Sequence, residues 1–331
     1  MSAKGSKVPG RWWSAFPAVI REHRVLLLLV CGYVAGVALF HAAVGQWHHW
    51  FILLLPARIL HVAVSTSALL LGIEALARRG HVDLGPRRVL SAVLVLLLAA
   101  PLQSSFHAFK QTLNVVRPFT WDTRLTALDW WLHGGRQPWE WLAPVVASGT
   151  AVRTFDLLYF AWLPLLFGFL VWLAWTANHA VRMRALVTLV LLWVVLGTGL
   201  AYVFSSAGPC FHPTPEGQAT YRGLMEALHA QYRVRPVIAV DVQYWLAHGF
   251  REGVRMPFGG ISAMPSLHVA VVTLMTLVMF RVHRALGFAF AAYALAILIG
   301  SVVLGWHYAV DGYFSIVATL LLWAVVGRFR P

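Results

Sequence analysis

Apolar stretches long enough to cross a bilayer recur along almost the whole chain. A helix of about 20 apolar residues spans the hydrocarbon core, and eight such stretches can be read in a chain that is 60% hydrophobic and 11% charged. This pattern predicts an all-α fold, a polytopic membrane bundle of about eight transmembrane helices. The predicted spans are residues 25–45, 51–77, 89–109, 154–176, 185–205, 264–281, 285–305 and 308–327.

The net charge of +14 reflects topology rather than a surface for nucleic acid. If the spans alternate, fifteen of the 26 Lys and Arg residues lie in the tail and short loops of one side. By the positive-inside rule that side is cytoplasmic, and it holds both termini. The fifteen residues are Lys4, Lys7, Arg11, Arg21, Arg24, Arg78, Arg79, Arg87, Arg88, Arg182, Arg184, Arg281, Arg284, Arg328 and Arg330.

Two long connections, residues 110–153 and 206–263, interrupt the apolar pattern on the non-cytoplasmic side. In the first, Arg124 to Leu142 reads as amphipathic pieces lying in the interface. In the second, the period of apolar residues predicts a helix over 216–232 and a shorter one over 237–248. Two interpretations stay open: the connections cap the bundle, or they shape a lipid-level entrance to a site.

A first pair of cations follows the third predicted span. Lys110 and Arg117 are seven residues apart, so on a helix they would project from one face. Together they can hold a phosphate, with Arg acting through its planar fork. Pro118 then ends the helix or turns the chain. The alternative is that both side chains are anchors reaching the interface from a helix end.

A second cluster opens the sixth predicted span at residues 265–268, Pro-Ser-Leu-His. Pro at the first helical position and Ser beside it are typical of a helix start. The N–H groups at such a start suit a phosphate oxygen, and His268 would face the same anion. Alternatively, His268 only makes a hydrogen bond at the interface of a capped helix.

A third cluster, His307 with Asp311, lies at the junction of the last two predicted spans. Residues four apart share a helical face, so the carboxylate can hold one ring nitrogen and leave the other free as nucleophile or base. A His–Asp pair that merely joins two helices is the alternative. Counting crossings places all three clusters on one side of the membrane, which favours a shared site.

Together these clusters resemble the three signature motifs of the type-2 phosphatidic acid phosphatase superfamily, most closely its inositol phosphorylceramide synthase-like branch. The resemblance runs from about Phe106 to the C-terminus and includes segments 119–122, 128–129, 206–209, 264–268 and 305–308. It implies a six-helix core, with His307 as nucleophile, Asp311 as its orienting partner and His268 as general acid and base. Lys110 and Arg117 match the first-motif cations, with Ser266 and Arg255 as further candidates for phosphate contact.

Two positions depart from the phosphatase pattern. Gly300 and Ser301 stand where phosphatases usually carry Ser-Arg, so the third-motif arginine is missing. Leu267 stands where they commonly carry glycine. Both departures are similar to the synthase-like branch, and the missing phosphate contact could come from Arg255, Arg235 or Arg58.

The resemblance implies an enzyme that uses no metal or other cofactor. We expect a phosphotransferase that acts on lipid phosphate or phosphodiester head groups through a phosphohistidine, with a phospholipid or lipid phosphate donor and a lipid hydroxyl or water as acceptor. A lipid phosphate or polyprenyl diphosphate phosphatase is the alternative. We expect residues 1–88 to form a tail and two accessory spans and 89–331 the catalytic domain. The expected location is a bacterial inner membrane, with the site on the periplasmic face and membrane lipids as partners.

Overall fold

A computed structural model describes residues 11–46, 66–68, 70–71, 84–254 and 259–329 of the chain. Helices make up most of these residues, and no β-strand occurs among them. The expectation of a helical membrane bundle is therefore confirmed. The predicted span over 51–77 lies largely outside the described residues. Arg58 and Arg255, two candidates for phosphate contact, also lie outside them.

Six of the described helices are long and apolar enough to cross a membrane, and a shorter apolar helix accompanies them. Apart from the second span, each predicted span corresponds to one of these segments. In chain order they are α2 (Arg24–Ala43), α3 (Pro86–Val116), α7 and α8 (Gly149–Phe160 and Trp162–Trp175, together one span), α9 (His179–Val203), the shorter α12 (Leu267–Val282), α13 (Arg284–Val303) and α14 (Ala309–Phe329).

Arginines hold the helices together at one end of the bundle. Arg88, at the start of α3, donates two hydrogen bonds of 2.9 and 3.2 Å to the carbonyl of Trp175 at the end of α8. On α9, Arg184 donates two bonds of 2.6 and 3.1 Å to the carbonyl of Trp323 on α14. Its guanidinium also stacks over the Trp323 ring at 3.9 Å, a favourable cation–π geometry. We call this the arginine end.

Shorter helices, formed by the two long connections, cover the opposite end. The first connection forms α4 (Asp122–Leu132), α5 (Pro138–Trp141) and α6 (Ala143–Ala147). The second forms α10 (Pro215–Val234) and α11 (Ile238–Arg251), which confirms the two helices expected there. The helix α1 (Arg11–Glu22) precedes α2 at the arginine end.

A carboxylate on a membrane helix fixes one of these covering helices. Asp156 of α7 is buried and accepts the backbone N–H groups of Ile238 and Ala239, at 2.7 and 2.9 Å. These N–H groups have no partner within α11 because they lie in its first turn. A side chain from another helix thus caps α11 and holds it against the bundle.

The middle of α9 is wound as a π-helix over Leu192–Leu200, which brings a glycine to the start of α12. A Cβ atom on Gly197 would lie 2.8 Å from the Leu267 side chain and 2.9 Å from that of Phe106. Within this segment the Thr198 hydroxyl donates to the carbonyl of Trp193, five residues earlier, at 3.0 Å. Close contact at Gly197 therefore sets how deeply the start of α12 lies between its neighbours.

Labelling with a membrane-impermeant thiol reagent tests the two-sided arrangement. In a chain carrying Cys31→Ser and Cys210→Ser, we expect Ala219→Cys on α10 to react in sealed, right-side-out vesicles. Ala285→Cys at the arginine end is exposed as well and should react only after the membrane is opened. The reverse pattern would contradict a cytoplasmic arginine end.

Candidate active site

One short loop, Ser205–Gly208, joins the segments that carry the three motifs. The carbonyl of Ser205 accepts the backbone N–H groups of residues 120 and 121, at 2.9 and 3.1 Å. The carbonyl and hydroxyl of Ser206 accept those of residues 263 and 264, at 2.9 and 3.0 Å. The loop therefore holds the segment after Arg117 and the segment before His268 on either side of itself.

The buried carboxylate of Asp122 completes this junction. It accepts the N–H groups of Ala207 and Gly208 at 2.9 Å, and the Tyr308 hydroxyl donates to it at 2.7 Å. Gly208 has a φ of +89°, and a Cβ atom there would lie 2.5 Å from the carbonyl oxygen of Trp306. Glycine is therefore required where the loop meets the segment next to His307.

A second carboxylate on the same face of α4 caps the helix that carries Asp311. Asp129 accepts the N–H groups of Ala309 and Val310, at 2.7 and 2.9 Å. Burial raises the pKa of Asp129 to about 6, although these two hydrogen bonds oppose the shift. Asp122 and Asp129 are seven residues apart, nearly two helical turns, so one helix orients both sides of the His307 segment.

His307 is placed between these supports with its Nδ1 atom 3.2 Å from Oδ2 of Asp311. The same Oδ2 accepts the N–H of Tyr308 at 3.1 Å, which fixes the carboxylate at the start of α14. Burial lowers the pKa of His307 to about 3, and the charge of Lys110 contributes to the shift. A hydrogen bond to the backbone of Ala263 opposes it. The imidazole is therefore neutral at physiological pH.

His268 lies in the first turn of α12 with its ring centroid 6.3 Å from that of His307. Tyr159 stacks on it at 4.5 Å with the planes inclined by 20°, and Trp162 lies at 4.2 Å. The Trp162 indole N–H also donates to the His268 carbonyl at 3.1 Å. The sequence analysis missed both aromatic residues, because within an apolar span their pattern is that of any membrane helix.

Lys110 reaches this site because the loop before α12 lies directly on α3. Gly260 has a φ of +95°, and a Cβ atom there would be 2.8 Å from the Lys110 carbonyl oxygen. One turn further, the Asn114 amide donates to the Ile261 carbonyl and accepts the Ile261 N–H, both at 2.7 Å. The Lys110 charge acts on both His268 and His307.

The expected alignment of Lys110 and Arg117 on one helical face is wrong. Helix α3 includes Lys110 but ends at Val116, and Arg117 has an extended backbone with φ −132° and ψ 113°. The cause is Pro118, because the residue before a proline is disfavoured in the α conformation. The Arg117 guanidinium lies over the Tyr202 ring at 5.4 Å, and no contact joins it to His268 or His307 in the described part of the chain.

Ser266 caps α12 as predicted, with its hydroxyl oxygen 3.5 Å from the N–H of Val269. The side chain is fully buried, so its hydroxyl serves the helix rather than an open surface. Ser301 is also fully buried, and its carbonyl accepts the N–H groups of Trp306 and His307 at 2.9 and 3.2 Å. Ser301, which stands at the position of the missing arginine, therefore holds the turn that leads into His307. Arg235 is exposed beyond the end of α10.

Carboxylates and one lysine surround His307 in the described part of the chain. Asp122, Asp129 and Asp311 are bound to backbone N–H groups of the surrounding loops and helix. The positive charge of Lys110 acts on His307, and the His268 ring centroid lies 6.3 Å from that of His307. Among the described residues no group of three or more His, Cys, Asp or Glu side chains is placed to hold a metal ion. This arrangement suits an anion attacked by a neutral imidazole.

A model of the PAP2 superfamily matches residues 123–325, well over half of the chain. The chain therefore belongs to the PAP2 superfamily, whose members act as phosphatases or phosphotransferases on lipid phosphates. The match includes His268, His307 and Asp311 and begins after Lys110, Arg117 and Asp122. No curated protein and no solved structure matches the chain.

Replacement of Asp122 tests the junction on which the site depends. Asp122→Ala would leave two backbone N–H groups and the Tyr308 hydroxyl without their acceptor. Each hydrogen bond to a charged group contributes about 1.5–3 kcal/mol, so we expect a clearly lower melting temperature in detergent. The exposed Glu226→Gln on α10 is the control and should melt like the wild type. Equal melting of both variants would contradict the role of Asp122.

Proposed function

We propose that this protein is an integral-membrane phosphotransferase that acts on lipid phosphate or phosphodiester head groups through a phosphohistidine at His307. The observation that carries the proposal is the neutral, buried His307 held by Asp311 at 3.2 Å, with His268 and Lys110 beside it. Membership of the PAP2 superfamily supports the same class of chemistry. Similarity to inositol phosphorylceramide synthases suggests a sphingolipid-type acceptor.

In the first step, Nε2 of His307 attacks the phosphorus atom of the donor. This is the ring nitrogen that does not face Asp311, and it attacks with the ring proton on Nδ1 after the donor displaces the contact with the Ala263 backbone. The new P–N bond replaces the P–O bond to the leaving group, and His268 donates a proton to the departing oxygen. Asp311 stabilises the positive charge that forms on the ring, as a carboxylate partner does in other His–Asp pairs.

In the second step, the oxygen of an acceptor hydroxyl attacks the phosphohistidine. The P–N bond breaks, His307 returns to its neutral form, and His268 takes the proton of the acceptor. The product carries the phosphoryl or phosphodiester group on the acceptor oxygen. The same two steps with water as acceptor release the hydrolysed head group, so the identity of the acceptor separates a transferase from a phosphatase.

Charge on the phosphoryl oxygens needs electrostatic stabilisation, which is the main demand of phosphoryl transfer. Among the described cations, we assign this stabilisation to Lys110, because its charge acts on both histidines. Arg117 and Ser266 are proposed to contact phosphate after a change of position, since one lies over Tyr202 and the other caps α12. Arg255 lies outside the described residues and stays a prediction.

Apolar side chains around His268 favour transfer over hydrolysis. Tyr159 and Trp162 cover its ring, and Leu267 packs against Gly197 beside it. A site with little water limits hydrolysis of a reactive intermediate, and a membrane-embedded alcohol can approach from the lipid. The basic-residue bias of the loops supports a periplasmic location for this site in a bacterial inner membrane.

One observation favours the alternative, a lipid phosphate or polyprenyl diphosphate phosphatase. A cavity of about 10 Å³ lies beside His307, lined in part by Asp129, Trp139 and Tyr221. That volume is about the minimum that holds one water molecule. The indole N–H of Trp139 is buried without a partner in the described part of the chain. A water bound here would lie beside the His307 ring.

Replacement of the two histidines tests the catalytic roles. His307→Ala should abolish turnover of a lipid phosphate donor, because the described site offers no second nucleophile in its place. His268→Ala should lower the rate by about 10²–10⁴, the usual contribution of a general acid or base. Initial rates on purified protein measure both, with Glu226→Gln as the matched control. Wild-type turnover by folded His307→Ala protein would disprove the phosphohistidine mechanism.

The products formed with and without an acceptor decide between the two reaction types. With a labelled lipid phosphate or phosphodiester donor and ceramide or diacylglycerol as acceptor, we expect more lipid-linked product than free phosphate or free head group. The reason is the apolar cover of His268. Chromatography of lipid and water-soluble fractions gives the ratio. Water-soluble product alone, across a panel of acceptors, would replace the transferase by the phosphatase.

A further inference from the structure

A second electropositive cluster lies at the arginine end, far along the helices from His307. Arg88 donates to the Trp175 carbonyl at 2.9 and 3.2 Å, and Arg182 donates to the adjacent Thr176 carbonyl at 3.5 Å. Arg87 forms an ion pair with Glu22 at the end of α1. The consecutive carbonyls of Trp175 and Thr176, at the end of α8, therefore bring arginines from α3 and α9 together.

Two helix N-termini meet in this cluster. Arg87 and Arg88 lie in the first turn of α3, and His179 and Arg182 lie in the first turn of α9. Each N-terminus carries a partial positive charge and N–H groups that favour an anion. The charge of Arg182 also acts on Arg87 and Arg88. Among the residues that the structure describes, the carboxylate paired here is that of Glu22.

Three buried polar atoms in the cluster have no hydrogen-bond partner among the described residues. They belong to His23, which is fully buried, to Trp175, and to Arg182, of which 6% is exposed. Their atoms are Nε2, Nε1 and Nε respectively. A buried polar group without a hydrogen-bond partner destabilises the folded protein. Such groups persist more readily where a ligand pairs with them.

The ring of His23 adds a requirement for a hydroxyl group. Its Nδ1 lies 2.9 Å from the Val19 carbonyl, which requires the proton on Nδ1 and leaves Nε2 as an acceptor in the neutral ring. Burial lowers the pKa of His23, and the charge of Arg182 lowers it further, so the neutral form dominates at pH 7. A ligand that carries both a phosphate and a hydroxyl would satisfy the arginines and His23 together.

We propose that this cluster binds the head group of an anionic phospholipid that carries a free hydroxyl, such as phosphatidylglycerol. The arginine fork matches the phosphodiester oxygens, and the indole and guanidinium N–H groups supply the remaining donors. The cluster lies where α3 begins and α8 ends, which is the depth of lipid head groups. The bound lipid joins α1, α3 and α9 and takes no part in the chemistry at His307.

The test is lipid binding by delipidated full-length protein in detergent. We expect native mass spectrometry to find one tightly retained phosphatidylglycerol, and that lipid to raise the melting temperature. Phosphatidylcholine carries the same phosphodiester in a head group that has no net charge. We therefore expect it to bind at least tenfold more weakly. Inorganic phosphate and glycerol 3-phosphate test whether a soluble anion, rather than a lipid, is the ligand of this cluster. If either soluble anion binds as tightly as the lipid, the lipid assignment is overturned.

Four variants locate the site. Arg182→Gln and Arg87→Gln should each weaken phosphatidylglycerol binding at least tenfold, whereas Glu22→Gln removes a competing carboxylate and should preserve or strengthen it. Arg281→Gln is the control, an exposed arginine at the same end. If Arg182→Gln does not fold, Arg87→Gln decides, since its side chain is 66% exposed. Binding by folded Arg182→Gln or Arg87→Gln equal to that of Arg281→Gln would overturn the proposal.

Discussion

Buried carboxylates that accept backbone N–H groups from another part of the chain are the interaction on which this structure depends. An ionised group away from water needs several hydrogen bonds to compensate for lost hydration. Asp122, Asp129 and Asp156 each accept two N–H groups from a distant segment. Two of these pairs cap a helix, α11 or α14, and the third holds the loop at residue 208. The covering helices and the site are thereby fixed to the bundle together.

The same interactions explain the electrostatic layout of the site. The carboxylates of α4 are bound by backbone N–H groups of the segments on either side of His307, so they fix the backbone that carries the ring. The positive charge of Lys110 is brought to the site because Gly260 and Asn114 hold the loop before α12 on α3. A phosphate group placed between Lys110 and His307 would meet a cation and a neutral nucleophile. The fold thus separates orientation of the nucleophile from binding of the anion.

Periodicity and residue chemistry predicted the parts of this structure that depend on local sequence. Apolar length identified the described spans, and the period of apolar residues identified α10 and α11. The spacing of His307 and Asp311 predicted their contact. The sequence also predicted that Pro118 ends the helix or turns the chain, and α3 does end at Val116. What it got wrong is the shared face of Lys110 and Arg117, because Arg117 itself is already extended. That boundary moves Arg117 away from the face of Lys110.

What the sequence did not predict depends on contacts between distant segments. Nothing local marks Tyr159 or Trp162 as neighbours of His268, because aromatic residues are common in membrane helices. The resemblance included Asp122 and Asp129 but gave no role to either. Their roles became visible only with the three-dimensional partners of their carboxylates, Tyr308 and the N-terminus of α14. Long-range hydrogen bonds of this kind leave no spacing pattern in one sequence.

Direct detection of the covalent intermediate tests the central claim. Purified protein is mixed with a phosphorus-labelled lipid donor, quenched within milliseconds under alkaline denaturing conditions that preserve phosphohistidine, and digested for mass spectrometry. We predict label on His307 alone, in an amount that falls when a hydroxyl acceptor is added before the quench. Turnover at the full rate with no label on His307, or with label on another residue, would contradict the account.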